Sequence, residues 1–169
     1  MPPELLRSLQ DYIDRMPFAR PFHFKVEEAR RGFVRVTLQP QEKFFNHFGT
    51  YQAGVLCTLA EITGGSLCGT FHDLAKNFMI TKLTQVKFER ATHRALTAEA
   101  SLHEPAVRQA LADLERQRKI DLPVNVQIKA AEEGPIATSQ SVYYLRLGFP
   151  GHFQSQSKWV TSIKLCKLL

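Results

Sequence analysis

The sequence predicts an α+β domain in which an antiparallel β-sheet wraps around a long central helix. Three observations carry this. Residues 52–71 read as a helix whose apolar residues, Val55, Leu56, Leu59, Ala60 and Ile62, run almost all round it. That is the pattern of a buried helix, not an amphipathic one. The coarse order along the chain is one helix, two strands, the central helix, then four strands with one helix inserted. Gly64, Gly65 and Gly69 fall in the central helix, where a missing side chain lets sheet and helix approach closely.

The elements follow in order. Over residues 3–15, Leu5, Leu6, Leu9, Tyr12 and Ile13 recur at three and four, and Pro17 stops the N-terminal helix. Residues 22–29 and 32–38 form a hairpin, with Phe33, Val34, Val36 and Leu38 favouring strand and Arg30-Arg31-Gly32 supplying the turn. Residues 41–51 form a loop dense in aromatic residues, namely Phe44, Phe45, Phe48 and Tyr51. A strand over 78–90 sets Met79, Thr81, Leu83, Gln85 and Lys87 against Ile80, Lys82, Thr84, Val86 and Phe88. Another strand spans 95–104. Pro105 opens the inserted helix, 105–120, with Val107, Leu111, Leu114 and Ile120 on one face, and Pro123 breaks it. Strands 124–132 and 136–149 flank Glu133-Gly134-Pro135.

The 169 residues suffice for one domain with a sizeable core. It is expected over 1–149, followed by a tail over 150–169. There Trp159, Val160, Ile163 and three lysines fit a basic amphipathic helix, an edge strand or a tail equally. No apolar run approaches the ~18 residues of a transmembrane helix, and the N-terminus lacks a signal pattern. Cys57, Cys68 and Cys166 form no Cys-x-x-Cys; this suits a reducing cytosol and gives no metal site. The net charge of +6 admits a polyanion, either nucleic acid or the phosphates of coenzyme A. Solvated surface explains the charge equally well. Lys and Arg are scattered and no nucleic-acid motif is visible, so no nucleic-acid partner is expected.

The central helix carries one formal charge, Glu61. Two readings stand. Either Glu61 reaches the rim or pairs with a basic residue, or it does chemistry. Asn46, Gly49, Gln52, Ala53 and Gly54 favour the second, because they place an amide, a flexible turn and open backbone N–H groups at the helix start. Such an N-terminus is a ready anion or oxyanion site. Other constellations fail. Gly64-Gly65-Ser66-Leu67-Cys68 lacks the last glycine of a nucleophile elbow, and the six histidines show no metal spacing.

Asn46-x-x-Gly49-Thr50-x-x-x-Gly54-x-Leu56-x-x-Leu59-Ala60-Glu61 resembles the signature of the hotdog-fold acyl-CoA thioesterases. The branch it is most similar to is the PaaI-like group and its DUF4442 relatives. The resemblance covers about residues 1–149, includes the inserted helix, and is densest over 46–65. It implies a hotdog fold and hydrolysis of acyl-CoA-type thioesters, with coenzyme A as part of the substrate and no other cofactor. By resemblance Glu61 is the catalytic carboxylate, acting as general base or as nucleophile. The Ala53 N–H would polarise the thioester carbonyl, and Asn46 would hold the carbonyl or the water. Gln52, Gly54, Phe48, Phe88 and Arg90 complete the expected substrate-binding set, with Lys82 and Lys87 as further candidates for the coenzyme phosphates.

Gln52 stands where PaaI-like members usually carry His, and Ala53 where they carry Gly. Gly65 stands where aryl-thioesterase relatives carry a hydroxyl. The backbone donor survives Ala53, and Gln52 and Gly65 slightly favour a second reading of the function, a non-catalytic acyl or acyl-CoA binding protein of the same fold. A hydratase of that fold would need Asp and His together, which are missing. Ala53 and Glu61 are eight residues apart on one helix, or about 12 Å. Both must come within about 3 Å of the reacting group. A homodimer or dimer of dimers with composite sites is therefore expected, in the cytoplasm.

Overall fold

The computed structural model describes residues 3–150. The expected tail, apart from Pro150, lies outside the described residues. The described residues contain three α-helices, α1 (Pro3–Arg15), α2 (Ala53–Gly69) and α3 (Glu104–Gln117). Six strands accompany them: β1 (Lys25–Arg30), β2 (Phe33–Leu38), β3 (Phe78–Phe88), β4 (Leu96–Ser101), β5 (Lys119–Ala130) and β6 (Gly134–Arg146). The strands form one sheet in the order β1-β2-β4-β5-β6-β3. Every neighbouring pair is antiparallel.

Helix α2 packs against β2 through β6. Val34, Val36 and Leu38 of β2, Leu96 and Ala98 of β4, Val126 and Ile128 of β5, and Tyr143 and Leu145 of β6 are buried with Leu59, Ala60 and Leu67 of α2. This is the expected α+β arrangement of a sheet around a central helix. Helix α1 packs on β1 and α2, and α3 on β5. Gln10 of α1 acts as a substitute strand partner for the edge. Its Nε2 donates to the Phe24 carbonyl at 2.9 Å, and its Oε1 accepts from the Val26 N–H at 2.8 Å. None of the helices among the described residues is long and apolar enough to cross a membrane.

The glycines of α2 do different jobs. At Gly64 a Cβ would stand 2.3 Å from the Tyr143 hydroxyl oxygen. Only glycine lets the Tyr143 ring sit against the helix, where its hydroxyl donates to the Glu61 carbonyl at 2.8 Å. Gly69 instead makes room for Leu9 of α1 and for Leu74, not for the sheet.

The structure moves several expected boundaries. β1 starts at Lys25, not at 22, because Arg20–Phe22 form a 3₁₀ turn with proline in its first positions and His23 is left-handed, φ 56°. The inserted helix ends at Gln117, where Arg118 adopts φ 63°. Ile120 therefore belongs to β5, opposite Leu145. Pro123 sits inside that strand, opposite Val142. β4 pairs with β5 only from Val126 onward, so Pro123 has β6 on one side alone. A residue without an N–H is tolerated at such an open edge.

The largest correction concerns β3. Simple alternation puts Met79, Thr81 and Leu83 on one face. In the structure the register with β6 shifts between Thr81 and Leu83, leaving Lys82 as an extra residue. Thr81 lies opposite the inward-facing Tyr143, and Thr84, Val86 and Phe88 lie opposite Ser141, Ser139 and Ala137, all three buried. A bulge of this kind re-aims side chains. Thr81 and Thr84 thus face α2 together, which an unbroken alternation forbids.

Gly64→Ala should lower stability by about 1–3 kcal/mol, the usual cost of overpacking. Urea unfolding measures it. An unchanged midpoint would mean that Tyr143 does not anchor α2.

Candidate active site

The segment before α2 is built by Asn46. Its Oδ1 accepts from the N–H groups of Phe48 at 2.9 Å and Thr50 at 3.3 Å. Its Nδ2 lies 3.1 Å from the Thr50 hydroxyl. Gly49 supplies the left-handed residue, φ 73°, that closes this turn without a Cβ penalty. Two backbone bonds then dock the loop. The Tyr51 N–H donates to the Thr92 carbonyl, and the Gln52 N–H to the Phe44 carbonyl, both at 2.9 Å. Gln52 is extended, φ −64° and ψ 137°, and its side chain makes no capping bond.

Helix α2 therefore begins with Ala53 and Gly54 exposed. The first N–H groups of a helix have no intrahelical acceptor. For Ala53 and Gly54 no other acceptor is present among the described residues. These are two convergent donors at the positive end of the helix dipole.

The prediction that α2 is covered all round is corrected here. One stripe stays open along Gln52, Ala53, Gly54, half-buried Cys57 and Glu61. The sheet covers the other sides, and α1 crosses only the far end. Glu61 sits on this stripe, exposed, and no ion pair reaches it among the described residues. Its desolvation cost is accordingly smaller than a buried carboxylate would bear. Its Oε1 accepts from the Thr81 hydroxyl at 3.0 Å. Its backbone carbonyl accepts from Tyr143. The carboxylate is thus held from β3 and its helical turn from β6. An apolar cavity of about 240 Å³, with Ile62, Met16, Met79 and Tyr143 in its wall, opens beside it.

The other expected residues fall into place unevenly. Phe48 is 78% exposed and Phe88 47% exposed, Phe48 lying against His47 at 3.9 Å between ring centroids. Arg90 donates from Nη1 to the Glu133 carbonyl at 2.7 Å and has no carboxylate partner among the described residues. Lys82 and Lys87 are paired, with Asp121 and Glu89. The Asn46 loop, Gln52, Ala53 and Gly54 gather at one end of α2, docked on Thr92 through Tyr51, while Glu61 lies two turns away. Thr81 and Tyr143 were not legible as site residues, since both reach Glu61 across the tertiary fold. Among the described residues no group of three or more His, Cys, Asp or Glu is arranged to hold a metal.

A hollow of about 760 Å³ lies on the opposite face of the sheet. Gln85, Lys87, Glu99, Asn125 and Gln127 line it. Arg35 and Lys129 clamp Glu99 there and hold its carboxyl below the usual carboxylate range. Phe33 and Val86 line it beside these polar groups, and it shares no lining residue with the cavity at Glu61.

Asn46→Ala removes two bonds to backbone N–H groups and should cost about 1–2 kcal/mol. Asn46→Asp keeps both acceptors and should stay within about 0.5 kcal/mol of the parent. Thermal or urea unfolding of the pair checks this. Equal stability of both variants would remove the turn role.

The comparisons agree with this architecture. The family described as a domain of unknown function, DUF4442, matches residues 9–145. A Pseudomonas aeruginosa protein, of unknown function and described as a probable thioesterase, superposes with a TM-score of 0.74 at 29% identity, over 87% of this chain and 97% of that one. A thioesterase family protein from Silicibacter pomeroyi gives 0.69 at 15% identity, over 85% and 99%. A hypothetical thioesterase from Streptococcus pneumoniae, solved with coenzyme A, gives 0.58 at 17% identity, over 76% and 89%. No curated protein matches the chain. With its signature at Asn46–Glu61 and its helix-centred antiparallel sheet, the chain belongs to the DUF4442 family and has the hotdog fold of the thioesterase superfamily.

Proposed function

We propose that the protein hydrolyses acyl thioesters of coenzyme A at sites shared between two copies of the chain. One observation carries the reading. The open N–H groups of Ala53 and Gly54 and the carboxylate of Glu61 lie on the same uncovered stripe of α2, beside an apolar cavity. Glu61 acts as base on a water, which attacks the thioester carbonyl carbon. The negative charge that develops on the carbonyl oxygen is met by the helix-start N–H groups. The C–S bond then breaks and the thiol leaves.

Eight residues of helix, about 12 Å, separate the two groups, so one subunit cannot present both to one carbonyl. A second α2 running antiparallel brings Ala53 of one copy opposite Glu61 of the other. Strand β3 supports that assembly. It lies at the end of the sheet order, pairs with β6 alone, and carries Ile80 and Leu83 half exposed, at 50% and 49%. A long apolar edge strand of this kind invites a partner strand.

The alternative, a binding protein without turnover, rests on Gln52 in place of a histidine and on the absence of a hydroxyl at Gly65. Thr81 supplies a hydroxyl to Glu61 from β3, which favours catalysis. The pneumococcal relative bound to coenzyme A supports the substrate class.

Thiol release from a panel of acyl-CoAs tests the activity. Glu61→Gln should lower turnover at least ~100-fold with the fold intact. Wild-type-like release would remove Glu61 from the mechanism.

Ala53→Pro should cost about 2.7–4 kcal/mol in the chemical step, the scale for losing one oxyanion donor. Proline is tolerated at a first helical position, and Gln52 already has the extended conformation that precedes one. Co-refolding the two inactive variants should restore about one site in four, since a mixed two-fold dimer keeps one whole site. Verified subunit exchange without recovered activity would place each site within one chain.

A further inference from the structure

The cavity beside Glu61 is lined by Ile62 and Gly65 of α2, Met79 of β3, Tyr143 of β6 and Met16, which follows α1. A second hollow, about 250 Å³, lies between α1 and the far end of α2, against Leu9, Gly69 and Leu74. Among the described residues one side chain lines both, Tyr12. It is half-buried on α1. Burial, then Cys68 and Glu61, push its phenol upward from the ordinary tyrosine range, as expected for a ring wedged between α1 and α2. The two hollows together hold about twice the volume of either, and Tyr12 stands between them.

The lining describes a ligand. A water-sized group takes about 30 Å³, so about 240 Å³ holds roughly eight groups of methylene size. The walls are mainly apolar, and methionine side chains adapt to a flexible chain. Of the four hydroxyl-bearing residues in the wall, Tyr12, Ser66, Thr81 and Tyr143, the last two are already committed to Glu61. Glu61 is the wall's one formal charge, so an acidic tail would find no opposite charge there, and the carboxylate itself stands at the carbonyl end. Gly65 keeps the space open from the helix side, since a Cβ there would stand 3.3 Å from the Met79 methyl.

We propose that this cavity takes the tail of an unbranched aliphatic acyl group of about eight carbons and that Tyr12 is the stop that ends it. This rests on the thioesterase reading for the position of the carbonyl carbon at Glu61. The N-terminal helix then sets chain length, while α2 supplies the chemistry. Removing the Tyr12 ring joins the two hollows and admits a longer chain.

The test is kcat/KM over straight-chain acyl-CoAs from about two to about sixteen carbons, with phenylacetyl-CoA as the aryl arm. The wild type should peak near eight carbons. Tyr12→Ala should move the peak to longer chains, with at least a ~10-fold gain for hexadecanoyl over octanoyl, the scale of methylene discrimination in apolar pockets. Gly65→Ala, which displaces only the flexible end of Met79, should move the peak to shorter chains and serves if Tyr12→Ala does not fold. An unshifted profile in a folded variant, or a wild type preferring phenylacetyl-CoA tenfold, would overturn the proposal. Calorimetric binding of non-hydrolysable S-alkyl-CoA thioethers reads chain length without turnover. A length profile that moves with these substitutions, in a protein that releases no thiol, would sink the hydrolase and leave the cavity assignment standing.

Discussion

The contact of Tyr143 with α2 sets the orientation on which the site depends. Its ring lies where any side chain at residue 64 would collide, and its hydroxyl donates to the carbonyl of Glu61. A buried phenol needs such a partner. A helix that is apolar almost all round has little preference for one rotation about its axis. The glycine and the hydroxyl fix that rotation. Gly64 lies one turn beyond Glu61 on the same side of α2 as Ala53 and Cys57, so the Tyr143 ring closes that side just past the carboxylate.

Strand β3 completes the carboxylate's surroundings from the other direction. Its bulge at Lys82 shifts the phase of the strand, so Thr81 faces the helix and reaches Glu61. The same strand is the uncovered end of the sheet. The residue that bonds the acid and the open end of the sheet are thus parts of one element. Helix α1 closes the arrangement. Leu9 and Ile13 are buried, while Tyr12, and Met16 just after the helix, line the hollows beside α2.

The helix start follows a different logic. Asn46 spends its side chain on the turn that precedes α2. It shapes the site by delivering Ala53 and Gly54 with their N–H groups open. Gln52 leaves those groups uncapped, whereas Ser, Thr or Asp at that position would satisfy one of them. An uncapped N-terminus is a small sacrifice of stability that keeps an anion site vacant.

Much was legible in the sequence alone. The all-round apolar pattern of residues 52–71 announced a helix inside a sheet. The glycines at 64 and 65 marked close packing, and the lone Glu61 eight residues beyond Ala53 set their spacing. These are local properties of composition and helical pitch, which any window of the chain displays. What the fold decided is long-range. Whether Glu61 is buried or open depends on which side of α2 the sheet leaves bare. The phase of β3 depends on a one-residue bulge that no alternation rule reveals. Pro123 could enter a strand because β4 ends before reaching it. Thr81, Tyr143 and Tyr12 come to Glu61 from positions 20, 82 and 49 residues away. Pairings at such separations are made by the packed tertiary structure, so local propensity carries no trace of them.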